Sequence, residues 1–389
     1  MDKPLRILAI VNLPWDPRLG AARVFMELTE QWKTAGHYVE HFCLTDAFTK
    51  PVKSRWLSTL RQLLFPARAA GFVRRNAARF DVVDAAIGTL PFSKEDLRFD
   101  GLLVARSVGF YRSFERFIRV GRKRWPDQPR GKFLGHFFYR SSRWWQARNS
   151  EISVRHCDLV NLPNDDELEL LPKAKSAIVE PYGLSEGDRT AFASAASSAE
   201  TRLARKEICF VGMWSLRKGS RDWPQIIERI RKIIPDAQFM LLGTMTNEQA
   251  VFKDLRLSAE DGVRCVSTYD PEQLPSLLTS CTVGLFPSYI EGFGLAVLEQ
   301  LACGIPTVAY DVPGPRQILQ QCRASLLVNE GDAAAMANRA VDILKMSVGD
   351  YGALSAQCLS IADQFRWKQI ATDTAREYVE ALRELPHRR

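Results

Sequence analysis

The sequence predicts an α/β protein of two doubly wound parallel sheets, and three observations carry that expectation. The length, 389 residues, suits two domains of about 150 to 200 residues each. A composition of 46% hydrophobic, 25% charged and 10% aromatic residues supports ordinary cores and excludes disordered, collagen-like and disulfide-stapled chains. Short apolar runs alternate with helical periodicities, as parallel strands covered by helices on both faces require.

Taken in order, 5–11 is apolar apart from Arg6 and reads as a buried strand. A loop with Pro14, Pro17 and Gly20 leads into a helix over 21–35, with Val24, Phe25, Leu28 and Trp32 at helical spacing and Gly36 as its stop. A strand over 38–44 completes a βαβ unit. Further strands are expected at 81–86, 101–106, 159–162 and 176–180. The segment 186–207, rich in Ala, Ser and charge, reads as an interdomain connection. Beyond it, strands over 208–211, 238–242, 263–266, 283–286, 306–309 and 325–328 alternate with helices over 223–234, 247–257, 271–280 and 295–303. Three terminal helices follow. In such sheets ligands bind beyond the carboxyl ends of the strands, which directs attention to the loops 12–20, 212–219 and 287–294.

The net charge of +8 is unevenly spread. Residues 51–150 hold 21 Lys/Arg and 7 Asp/Glu, a net of +14, so the remaining 289 residues sum to −6. Within 110–148, arginines and lysines interleave with Phe114, Phe117, Trp125, Trp144 and Trp145. That mixture suits an anionic membrane surface or an anionic acceptor, or else core aromatics beneath a solvated basic face. No nucleic-acid module accompanies it, so nucleic acid is not an expected partner. The eight scattered cysteines form no C-x-x-C pair and read as buried thiols. With only about eight apolar-rich residues near the start and no run of about 20, a secretion signal and a membrane span are not expected. A cytoplasmic protein, peripheral on the inner face of a membrane, is the resulting expectation.

The chemistry concentrates in 286–306. A buried strand ends in Pro287-Ser288, Gly292 and Gly294 permit close backbone approach, and a helix opens with its amides aimed into the loop, an anion site by geometry. Glu299 emerges among Leu295, Ala296, Ala302 and Cys303, where a carboxylate is costly unless hydrogen-bonded; a ribose diol would satisfy it. Solvated carboxylates at 291 and 299 are the plainer alternative. In the loop after the strand at 208–211, Arg217 and Lys218 beside Gly219 suit a diphosphate leaving group. Asp165-Asp166-Glu167 reads as a solvated turn rather than a metal site.

These residues closely resemble the family-4 retaining glycosyltransferases (glycosyl transferases group 1), whose motif is E-G-F-G-L-x-x-x-E-x-x-A-x-G-x-P. Here it reads Glu291-Gly292-Phe293-Gly294-Leu295, Glu299, Ala302, Gly304, Pro306. The resemblance implies the GT-B fold, two Rossmann-like domains facing across a cleft: 1–185 on the acceptor side, 208–366 on the donor side, and 367–389 as a final helix crossing back. It implies that Glu299 holds the nucleotide ribose and Glu291 contacts the transferred sugar. Gly292 and the amides of Phe293, Gly294 and Leu295 would assist sugar and diphosphate, with Lys218 and Arg217 on the phosphates. Gly212 and Gly20 would belong to the glycine turns of the two halves. Two positions depart from the pattern: Met213 stands where an arginine is usual, and Ser107 or Val108 where many members carry a histidine.

The implied activity is retaining hexosyl transfer from a UDP- or GDP-type sugar to a glycan, glycolipid or cell-envelope precursor. It would proceed by front-face substitution, with no metal or organic cofactor. A catalytically impaired nucleotide-sugar-binding protein and a metal-free nucleotide-sugar epimerase are the alternatives.

Overall fold

A computed structural model describes residues 3–50, 52, 54–109, 111–125, 133–172, 175–258 and 261–385. Among them, twelve strands form two six-stranded sheets, and the strand pairs run parallel. The chain divides into two compact units, Met1–Tyr182 with Trp367–Arg389, and Gly183–Arg366.

The first sheet contains β1 (Arg6–Val11), β2 (Tyr38–Cys43), β3 (Val82–Ala86), β4 (Leu102–Arg106), β5 (Leu159–Leu162) and β6 (Ala177–Val179), in the order β2-β1-β3-β4-β5-β6. From Ile7 to Val11, β1 is buried, because helices cover both faces of a parallel sheet. The helix Gly20–Thr34 buries Val24, Phe25, Leu28 and Trp32, the stripe its spacing predicts. The C-terminal helix Trp367–Glu384 completes this unit: the Trp32 indole donates to the Ala371 carbonyl at 2.9 Å. Its Tyr378 hydroxyl donates to Asp84 on β3 at 2.7 Å, and Arg106 at the end of β4 donates to the same carboxylate at 2.7 Å. Three buried polar groups thereby satisfy one another, as burial demands.

The second sheet contains β7 (Glu207–Val211), β8 (Gln238–Leu242), β9 (Val263–Val266), β10 (Val283–Phe286), β11 (Thr307–Tyr310) and β12 (Leu327–Val328), in the order β12-β11-β10-β7-β8-β9. The chain winds outward first to one side of β7 and then to the other. The reversal between β7 and β10 is the switch point where such sheets bind ligands.

Three expectations change. The segment 186–207 is not a free connection. It forms helices Glu186–Ser194 and Ala199–Arg205, capped by the hydroxyls of Ser185 and Ser198, before β7 begins. Both belong to the second unit, and the buried Arg202 fastens the second helix by donating to the carbonyls of Cys281 at 3.1 Å and Cys303 at 2.7 Å. The strand expected at 325–328 shrinks to Leu327–Val328, since a helical turn runs through Leu326. The basic window, given no helices by the sequence, carries long ones at Arg55–Asn76, Tyr111–Arg124 and Phe133–His156. The eight cysteines are free thiols, and all but the half-buried Cys265 are buried.

Candidate functional site

The loops after β7 and β10 lie side by side because their strands are neighbours, Val283 pairing with Ile208 and Gly284 with Cys209. Backbone bonds fasten them together. The Tyr289 amide donates to the Arg217 carbonyl at 2.9 Å, and the Ser288 hydroxyl reaches the same oxygen at 3.3 Å. Gly219, with φ +75°, lies against Pro287 so closely that a Cβ would collide with the Pro287 carbonyl oxygen. Only glycine meets both conditions at once.

Lys218 and Glu291, one from each loop, form an ion pair, with side chains 11% and 16% exposed. The Lys218 ammonium also sits 4.4 Å from the centre of the Phe286 ring. Burial depresses the Lys218 pKa, while Glu291 opposes that shift and the neighbouring Arg217 adds to it. Two cations and a carboxylate thus share one sparsely hydrated corner of the sheet. Beneath them, Asp222 accepts hydrogen bonds from the hydroxyls of Tyr289 and Tyr310, each at 2.6 Å, which fixes the β10 loop.

Past Glu291 the chain turns through Gly292 and the buried Phe293 to Gly294, whose φ of +97° places it at the N-cap of helix Leu295–Ala302. Gly314 (φ +64°) lies against the Phe293 carbonyl, so another loop supports this turn. The first helical turn bears no acidic side chain. Glu299 is buried one turn further on, and its charge adds to the burial that pushes the Cys303 thiol up to about 12. Gly212 continues the sheet, its amide donating to the Leu242 carbonyl at 2.9 Å. Lys218, Arg217, Glu291, Gly292, Phe293, Gly294, Leu295, Glu299 and Gly212 therefore all belong to the carboxyl end of the β7/β10 pair or the helix that follows it. Met213 is exposed beside them.

Gly20 belongs to the other unit. It is exposed at the start of helix Gly20–Thr34, and a Cβ there would meet nothing within 4 Å, so packing does not demand glycine. In the same unit Ser107 is buried and committed: its hydroxyl donates to Glu167 at 2.5 Å and its carbonyl accepts the Tyr182 hydroxyl. The Asp165-Asp166-Glu167 turn is accordingly not fully solvated, because Glu167 is buried as this acceptor. Among the described residues, His41, Cys43 and Asp46, all in the first unit, bring one ligand-capable atom each within 4.8 Å of one another.

Sequence reasoning missed Asp222, Tyr289 and Tyr310, which shape the floor of the site, and Gln300. The Gln300 amide donates to the Ala296 carbonyl at 2.7 Å, and its side chain occupies space that Gly284 leaves open on β10. A glycine within a buried strand is the one local signal of that insertion.

Residues 205–346 match the family described as glycosyl transferases group 1. Over that segment the chain is similar to the group 1 glycosyltransferases. The matched segment holds every member of the Lys218–Glu299 constellation. A GDP-mannose:cellobiosyl-diphosphopolyprenol alpha-mannosyltransferase of Komagataeibacter xylinus is 27% identical over 205 residues, 51% of each chain. A D-inositol 3-phosphate glycosyltransferase of Paenarthrobacter aurescens (strain TC1) is 31% identical over 186 residues, 45% of this chain and 44% of that one. The chain spans about half the length of these curated relatives. Among solved structures, a sucrose-phosphate synthase from Thermosynechococcus elongatus superposes with a TM-score of 0.73 at 18% identity, covering 96% of this chain and 98% of that one. Anabaena HepE in complex with UDP and glucose superposes with a TM-score of 0.65 at 17% identity, covering 96% and 99%. The fold is GT-B, two Rossmann-like domains.

Proposed function

We propose that the protein transfers a hexosyl group from a nucleoside diphosphate sugar to an acceptor with retention at the anomeric carbon. The observation that carries this reading is the Lys218–Glu291 pair at the switch point between β7 and β10. In this reading Glu299 binds the ribose diol, and the diphosphate lies against the amides of Phe293 to Leu295. Lys218 and Arg217 neutralise the charge that grows on the leaving phosphate, and Glu291, already holding Lys218 in place, engages the sugar hydroxyls. A cation oriented before the reaction costs little reorganisation when charge develops. The bond from the anomeric carbon to the phosphate oxygen breaks, the acceptor oxygen bonds to the same face, and its proton passes to the departing phosphate. The protein supplies position and charge, and no metal or organic cofactor enters the scheme.

The names of the relatives support a sugar-nucleotide donor, and the UDP-bound neighbour supports a UDP- or GDP-type nucleotide. We assign the acceptor to the glycan, glycolipid or cell-envelope precursor class, handled on the cytoplasmic face of a membrane. Among the described residues no helix is long and apolar enough to cross a bilayer. Exposed Phe114, Val120, Trp144 and Trp145 support the peripheral role of 110–148; many other side chains of that stretch lie outside the described residues.

One observation favours a second reading, donor binding without turnover: Ser107, at the place of the family's histidine, is tied to Glu167. Incubation with labelled UDP- and GDP-sugars and a cell-envelope extract separates the readings. A labelled product with retained anomeric configuration is expected. Tight donor binding without nucleotide release would establish the second reading, and donor interconversion without acceptor would make the protein an epimerase.

A further inference from the structure

Between Asp46 and Asp81 the chain carries no acidic residue and eight basic ones: Lys50, Lys53, Arg55, Arg61, Arg68, Arg74, Arg75 and Arg79. Most of this interval is the 22-residue helix Arg55–Asn76. Its inner face packs Phe65, Ala69, Ala70 and Val73 into the core of the first unit. Its outer face is unusual. Trp56, Leu57, Leu60 and Leu64 are 63%, 50%, 44% and 47% exposed.

With 3.6 residues per turn, these four side chains fall within an arc of about 100°, and Arg61, Arg68 and Arg75 run along one edge of it. The core-facing residues occupy the opposite side. Single exposed leucines need no explanation, whereas four large apolar side chains on one acid-free stripe do. An apolar stripe bordered by arginines is complementary to one kind of surface, the interface of an anionic bilayer, where aliphatic and indole groups enter the acyl boundary and guanidinium groups meet lipid phosphates.

We propose that the helix Arg55–Asn76 lies in the plane of an anionic membrane and, through Trp56, Leu57, Leu60 and Leu64, is the principal membrane contact of the protein. The proposal rests on the reading above that the protein works on a membrane surface, but moves the main contact from 110–148 to a different helix. It is independent of the donor site.

The test uses the full chain in co-sedimentation with vesicles of phosphatidylcholine alone and of phosphatidylcholine with one-third phosphatidylglycerol. Binding to the mixed vesicles is expected, reduced by salt but not abolished, because part of the attraction is apolar. The exposed double substitution Leu60→Glu/Leu64→Glu should lower the partition coefficient at least tenfold. The melting temperature, and the thermal shift produced by UDP or GDP, should stay at wild-type values. Trp144→Glu/Trp145→Glu, in the other stretch, should reduce binding by less than threefold. Loss of binding in the Trp144/Trp145 variant but not in the leucine variant would overturn the proposal and leave membrane association standing. Failure of the wild type to bind either vesicle would remove both. A wild-type dimer in light scattering that the leucine variant dissolves, without vesicle binding, would reassign the stripe to a second copy of this chain.

Discussion

Glu299 and Lys218 differ in what their loss should do. Glu299 is buried where the donor nucleotide would lie, so Glu299→Ala should lower UDP or GDP affinity by 100-fold or more while the protein stays folded. Isothermal titration alongside circular dichroism reads both quantities, and unchanged affinity would sink the ribose assignment. Lys218 is held by Glu291 over the Phe286 ring. Its value is expected mainly in the transition state, where phosphate charge is largest. Lys218→Met should therefore cut kcat on the order of 100-fold, as removal of one preorganised donor does elsewhere, with a smaller change in KM. A raised KM with kcat unchanged would mean that the lysine only binds donor. At this scale the sequence was informative about motif residues and silent about their supports. The glutamates and Lys218 stand in a recognisable spacing, but Asp222 earns its role from two tyrosines, one 67 and the other 88 residues away.

Elements show the same division. The strands at 159–162, 238–242, 263–266 and 283–286 were legible to the residue, because short β-rich apolar runs bounded by polar residues or loops have few other solutions. The helices over 186–205 were hidden by their Ala/Ser composition, although Ser185 and Ser198 cap them in the ordinary way, with Asp188 and Thr201 three residues on. What fastens the second of them is Arg202, whose carbonyl acceptors come from segments some 80 and 100 residues later, beyond any local pattern. The junction of the β7 and β10 loops makes its own prediction. Gly219→Ala places a methyl group on the Pro287 carbonyl at a positive φ, and should destabilise the protein by more than about 1 kcal/mol in urea titrations. Nucleotide affinity should fall with it, since Lys218 is the preceding residue.

Just after β6, Glu180 faces the C-terminal helix. Burial first, and then Asp373 and Glu377, raise its pKa to about 7, against the pull of Arg106 and Arg376. The folded state thus holds a proton between roughly pH 4.5 and 7 that the unfolded chain gives up, so this contribution to stability is present at low pH and lost as pH rises through 7. Glu180→Gln should flatten the decline in melting temperature between pH 5.5 and 8, raising it more at pH 8 than at pH 5.5. A variant whose profile parallels the wild type would show that the carboxyl does not titrate there.

For the whole molecule, the division into Gly183–Arg366 and a unit made of both chain ends carries most of the meaning. The second unit is one continuous segment with its own sheet. Residues 183–366 expressed alone should unfold cooperatively in urea and still bind UDP or GDP, as native gel shifts or fluorescence would read. The first unit needs Trp32 and Asp84 from one end and Ala371 and Tyr378 from the other. A chain cut after residue 366 should show faster hydrogen exchange in β3 and β4 than the full chain, with β7 and β10 unchanged.

That discontinuity reverses the usual order of assembly on the ribosome. The segment that emerges first lacks the helix that closes its buried polar network, while the later segment is complete once Arg366 has cleared the exit tunnel. The N-terminal half, with its acid-free helix already outside, waits for the helix Trp367–Glu384, whose Tyr378 bonds Asp84. An apolar, arginine-bordered stripe presented by an unfinished domain would give the nascent chain its first opportunity to settle on a bilayer before the protein is whole.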